Sequence, residues 1–149
     1  MFPHTVTIYN VQHDFDKTTQ KDSFKNYITV LRGVLLQASK MVNVQESGLK
    51  DADSVNLYIP RDVEAIDGIT RKPKTYAGPM EFTRSDEKEK LWSLTLDGRG
   101  DDTFFVKGDV VEPDLPFEGI ALKYDDVYNI TKVDLMDFGG LQHWEVGGA

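Results

Sequence analysis

Tyr27-Ile28-Thr29-Val30-Leu31-Arg32-Gly33-Val34-Leu35-Leu36 is the stretch on which the fold turns. Four of its first five residues are β-branched or aromatic, types that suit a pleated surface. The apolar run resumes after Gly33. A glycine inside a strand marks a bulge or sharp bend, as at the corners of small barrels. Working outward, Thr5-Val6-Thr7-Ile8-Tyr9 alternates with period two and predicts a strand. Residues 54–59 place Val55, Leu57 and Ile59 on one face before Pro60 ends the run. Residues 91–96 group Trp92, Leu94 and Leu96 in the same way, and Asp97-Gly98 supplies a turn. Residues 103–106 and 109–111 are two short β runs separated by Lys107-Gly108. Residues 127–133 lead through Met136-Asp137-Phe138 to Gly139-Gly140, and residues 141–146 return, a C-terminal β-hairpin.

Helical signals are weak. Thr83-Arg84-Ser85-Asp86 resembles a capping box with Asp in place of Glu, which predicts a turn or two over residues 87–91. Residues 116–124 hold either another short helix or a loop. Six or more short strands with little helix predict a mostly β fold, a small β-barrel or sandwich with long loops. The 149 residues suit a single domain over 1–149. Two segments read as least anchored: the polar residues 10–24, and a long loop or insertion at about 61–90, rich in charge, proline and glycine. Long loops of this kind are where contacts with neighbours belong.

Composition removes several chemistries. There is no cysteine, so disulfides, thiolate metal sites and cysteine nucleophiles are excluded. The opening Met1-Phe2-Pro3-His4-Thr5 predicts no signal peptide, and no apolar run approaches the ~20 residues of a membrane span. Those features predict a cytoplasm-like compartment and no membrane partner. The net charge of −8, from 25 acidic and 17 basic residues, repels a phosphate backbone and disfavours nucleic-acid binding. Arg71-Lys72-Pro73-Lys74 is the one short basic cluster, read as a solvated loop.

No catalytic, cofactor-binding or metal-binding residue is assigned. His4, His13 and His143 share no metal-ligand spacing. No nucleophile elbow, phosphate loop or dinucleotide fingerprint follows a strand. The acid pairs Asp51/Asp53, Asp101/Asp102 and Asp125/Asp126 sit in polar, turn-like segments. Acid–base chemistry needs two carboxyls converging in environments that split their pKa values, so solvated turn acids are the better reading. Arg99-Gly100-Asp101 and the sequon Asn129-Ile130-Thr131 are short chance matches without a secretory route. Trp92, Trp144, Tyr128 and Phe138 suggest either a base-stacking platform or core packing. A stacking platform sits in a positive groove, and this chain is acidic, so core packing is preferred.

The chain also carries a resemblance. Residues 2–10 (Phe2-Pro3-His4-Thr5-Val6-Thr7-Ile8-Tyr9-Asn10), residues 48–60 around Ser54-Val55-Asn56-Leu57-Tyr58-Ile59-Pro60, and the ending from Tyr124-Asp125-Asp126-Val127 through Asp137-Phe138-Gly139-Gly140-Leu141-Gln142-His143-Trp144 are its basis. Over most of the chain they resemble uncharacterised proteins from phages and prophages of Gram-positive bacteria. In plan, mainly at both ends, the chain is similar to the small β-barrel head-closure (stopper) and minor capsid proteins of tailed phages. That resemblance implies a non-enzymatic virion subunit of the head–tail connector, with no catalytic residues and no cofactor. It implies a homo-oligomeric ring, six- or twelve-fold, assembled in the bacterial host cytoplasm, joining portal or adaptor to tail proteins and gating the DNA channel. DNA would then be a passing cargo, repelled rather than bound. A tail terminator, tail-completion or minor tail protein is the alternative role, and a small-ligand-binding protein or enzyme a more distant one. Residues 61–90 exceed what the smallest stoppers carry.

Overall fold

The computed structural model describes residues 2–40, 53–95, 101–137, 139 and 142–149. The strands are β1 (His4–Asp16), β2 (Lys21–Lys40), β3 (Asp53–Pro60), β4 (Glu64–Asp67), β5 (Thr75–Tyr76), β6 (Leu91–Trp92), β7 (Asp101–Lys107), β8 (Val127–Met136) and β9 (His143–Gly148). Two short helices, α1 (Pro79–Arg84) and α2 (Phe117–Lys123), interrupt them. The antiparallel order β1-β7-β8-β9-β3-β2 closes because β2 also pairs with β1. The result is a six-stranded antiparallel barrel, with β4 as an extra strand on β2.

Closure depends on two strands that turn corners. β2 pairs with β1 up to Val34 and with β3 from Leu35 onward. At the junction Gly33 has φ +88°, a conformation in which only glycine escapes the Cβ penalty. The register jumps there, from Thr5↔Arg32 to His4↔Val34. One extra residue in one strand is a bulge, and it shifts the side-chain phase. Leu31 before it and Val34 and Leu36 after it therefore all join one core. β8 repeats the device: it pairs with β7 up to Asn129 and with β9 from Ile130, with a register shift between Ile130 and Lys132. Ile130 and Val133, three residues apart, both pack into that core.

The interior holds Val6, Ile8, Val55, Leu57, Ile59, Phe105, Trp144 and Val146 with those corner residues. Val55, Leu57 and Ile59 share the face that their spacing predicts. Gly148 has no room for a side chain: a Cβ there would lie 2.9 Å from Phe105 Cζ.

Both faces of β1 are buried from Val6 to Val11. Its outward residues Tyr9 and Val11 lie with Ile28, Phe104, Val106 and Ile120 of α2 in a second core, and the Tyr9 and Phe104 rings stack at 4.8 Å. The strap from Lys107 to α2 is tied down by hydroxyls. Thr7 Oγ1 donates to Gly108 O (2.7 Å) and accepts from Val110 N (3.0 Å). Tyr9 Oη donates to Val110 O (2.6 Å) and accepts from Glu112 N (2.9 Å). Asn26 Nδ2 donates to the carbonyls of Glu112 and Leu115.

Several local expectations change. Residues 10–24 are not loosely held: β1 and β2 continue as a ribbon to Asp16↔Lys21, turning through residues 17–20. Residues 61–90 form β4, β5, α1 and a 3₁₀ turn at Lys88–Lys90, with Ala65, Lys74, Ala77 and Phe82 buried. The turn expected over 87–91 is present as that 3₁₀ turn, whereas α1, which ends in Thr83-Arg84 with Ser85 as its C-cap, has no counterpart in the sequence reading. Residues 109–111 belong to the strap and form no strand. Of the described residues 91–95, Leu91 and Trp92 alone are strand, pairing parallel with Thr75 and Tyr76. Leu96, Asp97-Gly98, Phe138, Gly140 and Leu141 lie outside the described residues.

The apolar alternation of that segment has another cause. Trp92 and Leu94 enter the barrel core, while Ser93 is locked to β1. Asn10 Nδ2 donates to Ser93 O (2.8 Å), and Ser93 N donates to Asn10 Oδ1 (3.1 Å). Asn10 is 2% exposed, so this knot is sealed from water. Asn10→Ala strands two buried backbone groups of Ser93, and a loss of about 2 kcal/mol is expected, read as a lower urea midpoint at unchanged m-value.

Candidate functional site

The groups with chemical potential are dispersed. His4 Nδ1 accepts from Leu36 N at 3.0 Å, a structural bond at the start of β1. His13 is exposed on the β1–β2 ribbon. His143 contacts Glu145 Oε1 at 3.2 Å beside the Tyr58 ring. No group of three or more His, Asp or Glu side chains is arranged to hold a metal among the described residues. Asp126 accepts from Tyr128 Oη at 3.0 Å, and Asp125 is exposed. Asp51 and the Arg99-Gly100 half of the tripeptide lie outside the described residues, and the side chains of Asp53, Asp101 and Asp102 are not described. Trp92, Trp144 and Tyr76 pack together, with Trp92 and Trp144 5.5 Å apart at 70°. They form core rather than an exposed stacking platform: Trp92 is 2% and Trp144 3% exposed.

The basic cluster departs from a solvated loop. Arg71 pairs with Asp109 at 2.7 Å on the surface. The Lys74 side chain is 1% exposed and pairs with Asp67 at 3.2 Å. Its ammonium also donates to Ile28 O and Thr29 Oγ1, both at 3.1 Å, so three donors meet three acceptors. Burial pushes this ammonium below its usual pKa, and Asp67 offsets part of that. Burial raises the Asp67 carboxyl, but the N–H groups of Thr70 and Ile69 and the charge of Lys74 outweigh it and leave the pKa below 3.8. The pair fastens the insertion to β2. Nothing in the spacing of Arg71-Lys72-Pro73-Lys74 distinguishes Lys74 from its neighbours; its burial follows from where β4 places it.

A groove lies elsewhere, on the outward side of β2, β3 and β9. The residues between the core positions of those strands line a groove of about 330 Å³: Leu35, Gln37, Tyr58, Pro60 and His143, with Phe2. Phe2 and Pro60 also border a hollow of about 590 Å³ lined by Arg32, Val63, Asp62 and Glu64. The two are contiguous, apolar in the floor and charged at one rim. Such a surface suits recognition of another chain by shape, and its polar groups do not converge on one reacting atom. Its only trace in the sequence is the presence of Leu35 and Tyr58 at outward strand positions.

The architecture defines a closed six-stranded antiparallel β-barrel with one extra strand and two short helices. Over residues 1–149 the chain matches a family of unknown function, DUF6751, and belongs to it. No curated protein matches the chain, and no solved structure does.

Linkage at the buried pair gives a direction. The folded Asp67 pKa is depressed, so its stabilisation is present above the unfolded carboxylate pKa and is lost as pH falls through the folded value. Asp67→Asn leaves the buried Lys74 ammonium without its counter-charge, a loss of about 3 kcal/mol at neutral pH. Urea unfolding across pH is expected to show that loss together with a shallower decline below about pH 4 than in the unsubstituted protein.

Proposed function

We propose that the chain is a non-enzymatic structural subunit of a tailed-phage particle, a ring-forming piece of the head–tail connector. The observation that supports it most is a closed barrel from which the β1–β2 ribbon extends beyond Gln12↔Asp101, the last β1–β7 pair among the described residues. A ring subunit works by surface complementarity, needing a stiff body and a projecting element that meets its neighbours. The resemblance of both chain ends to head-closure proteins points the same way. On this reading portal or adaptor proteins lie on one side of the ring and tail proteins on the other. The charge of −8 keeps the DNA that passes through the channel from adhering to its wall.

Deletion of the gene from its parental phage or prophage tests the role. After induction, electron microscopy is expected to show free tails beside heads that are unjoined or have lost DNA. Full heads with tails of abnormal length or unfinished ends would move the role to tail termination or completion. Intact, infectious, joined virions would overturn the structural reading.

A further inference from the structure

We infer that the tip of the β1–β2 ribbon docks in the Phe2–Pro60–Val63 groove of a second copy of this chain, a head-to-tail contact. The inference rests on the ring reading above and names the contact that would build the ring.

The ribbon and the groove belong to the two ends of one strand. β2 runs from Lys21 in the ribbon to Leu35 and Gln37 in the groove. Phe24 and Leu35 are separated by roughly 35 Å of strand at ~3.3 Å per residue. Pairing to β1 stiffens the ribbon along its length, so it cannot fold back onto its own groove. Phe24 (37% exposed) sits at the root of the ribbon, beside a hollow lined by Val11, Phe104 and Phe117 of its own body, so the groove's exposed Phe2 (39%) is left for the tip of another copy to cover. A two-stranded ribbon alone is marginal in water and gains from being covered.

Charge selects this pairing over others. Across residues 13–25 three lysines balance three aspartates, so the whole −8 resides on the rest of the chain. Two bodies therefore repel, whereas a ribbon approaching a body does not. At the tip, Lys17 and Lys21 flank three uncharged residues, with Asp16 and Asp22 just outside them. The groove rim offers Asp62 and Glu64, both exposed and in no ion pair among the described residues, against Arg32 alone. The neighbouring Arg61 is engaged over the Trp144 ring at 4.8 Å. Ribbon-to-groove contact uses two different surfaces, so it propagates and closes into a ring when the rotation between copies allows.

The absence of native cysteine makes disulfide trapping unambiguous. Thr19→Cys, at the exposed ribbon tip, and Val63→Cys, at the groove, are made in separate full-length chains, tagged differently, mixed in concentrated solution and oxidised. Thr19→Cys mixed with Leu122→Cys, a 91% exposed site on α2, is the control. The ribbon–groove heterodimer is expected in excess over the control by on the order of tenfold. Adding Lys17→Glu and Lys21→Glu to the Thr19→Cys chain is expected to remove the excess. Further adding Asp62→Lys and Glu64→Lys to the Val63→Cys chain is expected to restore it. A yield equal to the control, or one indifferent to the charge reversals, overturns the contact. Failure here with separated heads and tails on gene deletion would remove this contact and leave the connector role. Trapping with intact virions on deletion would keep the contact and remove the role.

Discussion

Everything in this structure depends on β1 being hydrogen-bonded along both of its edges, to β2 on one side and β7 on the other. Those two ladders close the sheet, and closure removes the exposed edges that an open sheet presents to other chains. A sheet of six strands closes only if some strands bend. Here two strands absorb the bend, β2 at Gly33 and β8 at the bulge after Ile130. Each bulge also resets the alternation, so that residues three apart, Leu31 with Val34 and Ile130 with Val133, fill the same interior. Backbone geometry and core composition are thus set at the same two points.

β1 is also the strand on which the non-barrel segments converge. Asn10 on its inner face holds Ser93, just after the insertion, and Thr7 and Tyr9 on its outer face hold the strap. A polar side chain in such a buried position is favourable only when its partners are fixed. The long segments therefore behave as parts of the packed body. Trp92 and Leu94 complete the interior, and Ile120 covers the outside of β1 and β7. Among the described residues, exposed large apolar side chains remain at Phe24 on the ribbon, at Phe2 beside the groove and at scattered sites such as Leu122.

The chemistry of the described side chains follows the same division. The perturbed ionisable groups serve structure: Lys74 and Asp67 fasten the insertion, and the Tyr9 hydroxyl, pushed up by burial, anchors the strap. The groove instead combines an apolar floor with rim charges that are in no ion pair among the described residues. Burial with complete pairing gives rigidity, whereas exposed apolar area beside unpaired charge gives affinity and orientation for another surface.

How much of this was legible in the sequence follows from the range of the physics involved. Alternation in residues 5–9 and 54–59, the bend at Gly33 and the terminal hairpin were readable, because side-chain phase and glycine's backbone freedom act within a few residues. Residues 116–124 stayed open between helix and loop until packing of Ile120 fixed α2. The sequence by itself determined a mostly β domain with a corner in β2. It placed a turn over 87–91, which forms as the 3₁₀ turn at Lys88–Lys90, but missed α1, which starts at Pro79 without a side-chain cap. It took 91–96 for a strand, since a segment entering a barrel alternates apolar and polar residues as a sheet strand does. It took Lys74 for a solvated lysine and residues 10–24 for a loose loop. Only the tertiary structure decided these points, and with them the groove. Each is set by which distant surface lies opposite a residue, and no local pattern in the chain encodes that.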